Sequence, residues 1–325
     1  MSSILHLSGV VISCIVLGIV WKIFRHLVFK SPFNNIPGPP SDSVWTGNLH
    51  QLFHRHDGWK FNSKLSENYN AVVKFYGLFN TPMLYVFDPK ALHSVLLKDQ
   101  TVWEVPSWLI GSNLLLFGPG LLSTLGDWHR KQRKILNPVF SINHMRFMTP
   151  IFYRITHNLK DAISQEIKEG PKELDLLDWM TRTALELVGQ GGLGYSFDPL
   201  VRDVPNTFRG AIKSLIPALL SVSMFRTTLP YLTSIFSPNF RRRAVDVLPF
   251  PSLKRLKTVV DILESQSKEI LTAKRVALAH GEDAVVRQVG EGKDIMSILL
   301  RENLAARTED QLPEEELLGQ MRYVL

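Results

Sequence analysis

Cysteine occurs once in these 325 residues, as Cys14 inside an apolar run. A disulfide framework, a cysteine-rich zinc site and an iron–sulfur cluster each need several thiols, so one chain can form none of them. Nor does the chain offer iron a water-accessible thiolate. The G-x-S-x-G elbow, H-E-x-x-H and G-x-x-x-x-G-K-[ST] are missing as well, and without them hydrolase, zinc-protease and P-loop readings have no support despite ten histidines. A concentrated charge of one sign is also lacking. Lys+Arg number 37 against 30 Asp+Glu, and Lys22, Arg25 and Lys30 all precede the first acidic residue, Asp42. The remaining excess is too diffuse to indicate nucleic acid as a partner. No repeat or low-complexity tract occurs, and 45% hydrophobic with 21% charged residues is the composition of a chain that buries a core.

What is present begins with ILHLSGVVISCIVLGIVW, from Ile4 to Trp21, apolar apart from His6 and a few hydroxyl or thiol side chains. Such a stretch, at about 1.5 Å per residue, nearly spans a hydrocarbon core of about 30 Å, and only a helix satisfies its backbone there. A cleaved secretory signal needs positive charge before the apolar stretch and a small-residue cleavage site, and neither precedes Lys22. Lys22, Arg25 and Lys30 follow the run instead, which places the rest of the chain on the cytosolic side. Residues 1–30 are therefore expected to be a single-pass anchor touching membrane lipid through Ile4 to Trp21. Residues 31–41 contain Ile36-Pro-Gly-Pro-Pro40, whose prolines fix the backbone and stop the anchor helix from continuing as one rod.

Beyond this hinge, Ala71–Tyr76 and Pro82–Phe87, separated by Gly77 to Thr81, are rich in β-branched and aromatic residues, as two strands of a hairpin are. Asp88-Pro89 forms the N-cap and first turn of a short helix through Leu97. Trp103 to Leu122 is apolar, glycine-containing and without a clean period, and is expected to be a long ordered loop. Helices then dominate: one from Asp127 with that residue as its N-cap, Asn143–Lys168 closed by Gly170-Pro171, Leu174–Val188, Ser252–His280, Asp294–Leu304, and one opening at Pro313. That last helix has no stop signal before Leu325, so the sequence is expected to be cut in mid-helix.

Gly189-Gln-Gly-Gly-Leu-Gly194 contains the spacing of a dinucleotide-binding loop. That mechanism needs a strand before the glycines, whereas a helix precedes them here, so a glycine-rich helix end is expected. Arg241-Arg-Arg243 is expected to be a solvated turn between helices. The segment Gly126–Phe140 is more specific, with His129, Arg130, Lys131, Arg133 and Lys134 falling within six positions. Residues four apart share a helix face, so His129 and Arg133 can meet one target, and an arginine fork suits a carboxylate. A basic surface helix is the plainer reading of the same residues.

The sequence resembles the cytochrome P-450 superfamily in its membrane-anchored eukaryotic, fungal form. The resemblance rests on the anchor, the proline hinge, the hairpin followed by Asp88-Pro89, and His129-x-x-x-Arg133 followed by Pro138-x-Phe140. It continues through Asp178-Trp179, Gly189–Phe197, Lys293–Leu300 and Leu312–Met321. His129 fills a slot more often held by tryptophan, and Trp128 sits one position early. The fold implied is mainly α with a small β-sheet, an incomplete α+β haem domain at 42–325 preceded by one transmembrane helix. The cofactor implied is haem, its propionates hydrogen-bonded by His129 and Arg133, with Trp103–Leu116 lining a pocket for a small lipophilic substrate. Electrons would come from NADPH through an external membrane-bound reductase, at the endoplasmic reticulum, and one atom of O2 would enter the substrate.

The family's A-G-x-x-T, E-x-x-R and cysteine-loop motifs do not occur in these 325 residues. The expectation is therefore a truncated form, stopped before the central oxygen-binding helix is complete and inactive by itself. The alternative is a non-enzymatic, membrane-anchored helical interaction protein that keeps the scaffold.

Overall fold

A computed structural model describes residues 32–198, 200, 207–222, 226, 235–309 and 311–324, together with Gly18 and Trp21. The expected anchor, Ile4 to Trp21, lies outside the described residues except at those last two positions. Among the described residues no helix is long and apolar enough to cross a membrane. The chain divides into two compact units, Met1–Trp103 and Glu104–Leu325.

In the first unit, α1 (Leu49–Leu52) and α2 (Gly58–Asn68) precede an antiparallel hairpin of β1 (Val72–Tyr76) and β2 (Pro82–Val86), in which Val72 faces Val86 and Tyr76 faces Pro82. Val73 and Phe75 are buried while their neighbours in the strand are half-exposed, the two-residue period of a strand with one covered face. The proline hinge is docked, not free: Lys74 N–H donates to the Pro37 carbonyl at 3.0 Å. A Cβ on Gly38 would fall 1.7 Å from the Lys74 carbonyl oxygen, so only glycine permits this approach. Asn48, fully buried, completes the junction by donating to the Pro40 carbonyl at 2.8 Å and accepting from Tyr76 N–H at 3.0 Å. Asp88 caps α3 (Pro89–His93) through Ala91 N–H at 2.7 Å, and a wide turn over Ser94–Lys98 finishes the segment as expected.

The second unit is helical. The expected loop at Trp103–Leu122 is instead α4 (Ser107–Phe117) followed by a short 3-10 turn at Leu121–Ser123. Its many apolar residues are spread around the helix with Ser112 and Asn113 among them, so no amphipathic period marks it, and it stops where Gly118 turns to φ +79°. α5 (Gly126–Leu136) carries the basic run, but its N-cap is Leu125; Asp127 lies inside the first turn and pairs with Arg130. α6 (Ile142–Glu166) is capped by Ser141 and ends before Gly170-Pro171. α7 (Leu176–Val188) is capped by Asp175, runs into a wide turn at Gly189–Leu193 and closes on Gly194 at φ +59°. A helix precedes these glycines, as expected for a helix end.

α8 (Thr207–Ser221), α9 (Pro238–Val247), α10 (Pro251–Ala279), α11 (Glu282–Val286), α12 (Ile295–Ala305) and α13 (Glu314–Val324) complete the unit. The run Arg241–Arg243 is not a turn. It lies within α9, where Ser237 and Pro238 start a helix, and Arg242 pairs with Asp261 of α10. The main core joins Leu136, Leu185, Leu193, Leu263, Met296, Leu299, Leu317 and Met321, with Phe197 stacked on Phe208 at 4.4 Å between ring centres. α5, α7, α10, α12 and α13 thus share one apolar centre.

Candidate functional site

One strip of α5 is buried. Gln132 and Leu136, four residues apart, are buried, and Leu136 enters the main core. Gln132 is wired on every side: it donates to the Pro119 carbonyl at 3.1 Å and to Glu316 of α13 at 2.8 Å, and it accepts from the Thr124 hydroxyl at 3.2 Å. These bonds fix the rotation of α5 about its axis. Sequence reading missed Gln132, because its partners are remote in the chain and polar core residues leave no periodic mark.

Beside that buried strip, on the same side of the helix, stand His129, half-buried, and Arg133, exposed. They are one helical turn apart, as their spacing requires. Burial first, and then the positive charge of Arg133, hold the His129 imidazolium below its ordinary pKa. Among the described residues no carboxylate pairs with either side chain. Their neighbours differ: Arg130 pairs with Asp127, and Lys131 donates to the Glu309 carbonyl at 3.2 Å and sits 5.0 Å over the Trp128 ring. The helix therefore spends part of its basic run on structure and leaves two donors on one face without an anion.

A second polar constellation lies on α4. Arg226 donates through Nη2 to Ser112 Oγ at 2.9 Å and to Asn113 Oδ1 at 3.2 Å, with its guanidinium 6.0 Å from the centre of the Trp108 ring. No sequence signal pointed to Arg226. A shallow pocket of about 360 Å³ lined by Phe53, His54, Trp59 and Tyr85 lies in the first unit and contains no residue singled out from the sequence. Among the described residues no cluster of His, Cys, Asp and Glu could hold a metal ion.

Residues 37–323 match the family profile for cytochrome P-450. The chain belongs to the cytochrome P-450 family. A relative from Postia placenta, cytochrome P-450 monooxygenase 91, is 50% identical over 96% of this chain and 57% of its own length. A Ganoderma lucidum protein called ganoderic acid synthetase is 39% identical over 93% of this chain and 55% of its own. The retinoic-acid-bound cyanobacterial CYP120A1 structure superposes with a TM-score of 0.57 at 18% identity, covering 89% of this chain and 56% of that one, a likeness of fold. The chain thus spans little more than half the length of the curated relatives it matches. The family implies haem. The donor set fits its acidic edge: a guanidinium fork and an imidazole N–H, both without an anionic partner among the described residues, suit two carboxylates. For the iron the 325 residues hold a single cysteine, Cys14 in the apolar run.

Proposed function

We propose that this chain carries the haem-propionate clasp and one wall of the substrate pocket of a membrane-anchored, fungal haem-thiolate monooxygenase. The carrying observation is that His129 and Arg133 share one side of α5 with no carboxylate partner among the described residues, while Arg130 and Lys131 beside them are engaged. Arg133 offers a planar fork to a propionate, and His129 donates a ring N–H. Gln132, held by Glu316 and by the Pro119 carbonyl, keeps that face in its orientation. When bound, haem supplies the oxygen activation that puts one atom of O2 into a substrate.

α4, predominantly apolar, forms the wall against a small lipophilic substrate. The run from Ile4 to Trp21 followed by Lys22, Arg25 and Lys30 supports a single-pass anchor in the endoplasmic reticulum membrane with the remainder cytosolic. An NADPH-dependent reductase is the electron source. By themselves these 325 residues grip the porphyrin without a thiolate for its metal and are inactive.

The test compares haem with its dimethyl ester, in which both carboxylates are blocked. Charge-assisted hydrogen bonds of about 1.5–3 kcal/mol each predict a diacid preference of roughly ten- to a hundredfold per bond. Absorbance titration should show that preference in the unaltered chain and its loss in the His129→Gln, Arg133→Gln double variant. An equal preference in both proteins removes the clasp.

A further inference from the structure

Arg226 is half-buried, and two of its five N–H groups, both on Nη2, are used by Ser112 and Asn113. The Nε proton is buried without any partner, and Nη1 meets none among the described residues. No ion pair among the described residues includes Arg226, whereas Arg182, also buried, is matched by Asp198 at 2.7 Å. Desolvation alone acts on its titration, lowering it, with no anion to offset the cost. A guanidinium taken partly out of water without a counter-charge is unfavourable unless an anion arrives.

Its two partners do not supply that charge. Ser112 gives its own hydroxyl proton to the Leu109 carbonyl, and Asn113 gives its amide protons to the Leu122 carbonyl, so both offer Arg226 only neutral oxygens. The surroundings are apolar. Ala218, Leu219 and Val222, just before Arg226 in the chain, cluster with Leu116 of α4 and Leu256 of α10. A cation lacking an anion thus stands next to the apolar contact of α4 with α8.

We propose that Arg226 is a carboxylate anchor, giving this protein a preference for lipophilic ligands that carry one acidic end. The carboxylate takes the free Nε and Nη1 protons, and the apolar tail lies against α4. Nη2 stays on Ser112 and Asn113, so the guanidinium is already oriented when the ligand arrives. This rests on the reading of α4 as a pocket wall, and it requires nothing of His129 or Arg133.

The test is equilibrium dialysis of palmitate and of methyl palmitate against the 325-residue chain, without haem. The acid should bind roughly tenfold or more tightly than the ester, the expectation for a charge-assisted pair. Arg226→Gln should abolish that ratio while leaving ester binding in place, and Arg226→Lys should keep part of it. Ser112→Ala, which removes a clamp and not a charge, should keep most of it. An acid-to-ester ratio near unity in the unaltered chain, or a ratio unchanged in Arg226→Gln, overturns the proposal, and the first of these needs no variant to fold. Failure of both probes to bind overturns it as well. Because the haem titration reads His129 and Arg133 separately, either result stands without the other.

Discussion

Two unlike nitrogen donors one turn apart on α5 make proton uptake a signature of the proposed clasp. Burial first, and then the charge of Arg133, lower the pKa of His129. A propionate placed against the pair offsets the charge of Arg133 and raises that pKa, so binding through the proposed clasp takes up protons. Diacid affinity should therefore rise as the pH falls from about 8 to about 6, before the carboxylates themselves are protonated. His129→Gln should flatten that slope, and the dimethyl ester should show none, in absorbance titrations at a series of pH values. A slope that survives the substitution would place the proton elsewhere. In the ligand-free chain the sign is opposite: the folded pKa lies below the unfolded one, so stability is fully present above about 6.5 and is lost as the pH falls toward the folded value. Buried His144, lowered by desolvation and only partly offset by Asp294, adds to that loss with the same sign. The pairing of His129 with Arg133 was legible because four-residue spacing is a local property of a helix. Arg226 was not, since its partners Ser112 and Asn113 lie 114 and 113 positions away.

At the scale of elements, legibility followed amphipathicity. α6 exposes one face and buries His144, Met148, Ile151, Ile155 and Leu159 at three- and four-residue spacing, so its period could be read. α4 spreads its apolar residues around the helix with Ser112 and Asn113 between them, and such a helix carries no periodic signal, which is why it passed for a loop. The run Arg241–Arg243 misled in the opposite way, its charges suggesting a solvated turn when Arg242 in fact holds α9 to α10 through Asp261. The seat of α13 is a matter of backbone approach that no propensity announces. Gly319 meets Gly120 so closely that a Cβ on it would lie 2.6 Å from the Gly120 nitrogen, and one on Gly120 would lie 2.6 Å from the Gly319 carbonyl carbon. Neither neighbour is a side chain that can swing away. Gly319→Ala gains helix propensity of about 1 kcal/mol but must force α13 off the 118–120 turn, and overpacking of this kind costs about 1–3 kcal/mol. We expect a net loss of stability and, because Gln132 reaches Glu316 and Leu121 reaches Gln320 across the same contact, a looser α5. Urea unfolding with haem diacid titration checks both effects; a variant as stable as its parent would mean that the turn yields.

For the whole molecule, the deciding quantity is the inventory of donors. The second unit gathers α5, α7, α10, α12 and α13 around one core, and α5 carries His129 and Arg133, the two donors of the proposed clasp. Sulfur is another matter: Cys14 is the one cysteine of the 325 residues, within the run from Ile4 to Trp21. A thiolate bound to haem iron changes the spectrum of the reduced carbon monoxide adduct, whereas a nitrogen ligand or water gives a different band. The chain loaded with haem, reduced and exposed to carbon monoxide should lack the thiolate-type band, and Cys14→Ser should leave its spectrum unchanged. The diacid preference should persist in the same sample, since it depends on His129 and Arg133 and not on the axial position. A thiolate-type band that vanishes in Cys14→Ser would show that the apolar run folds back onto the haem and would overturn its assignment to the membrane. Grip and metal ligation are separable in this chain because one is local to a single helix and the other needs a sulfur donor brought to that helix from elsewhere.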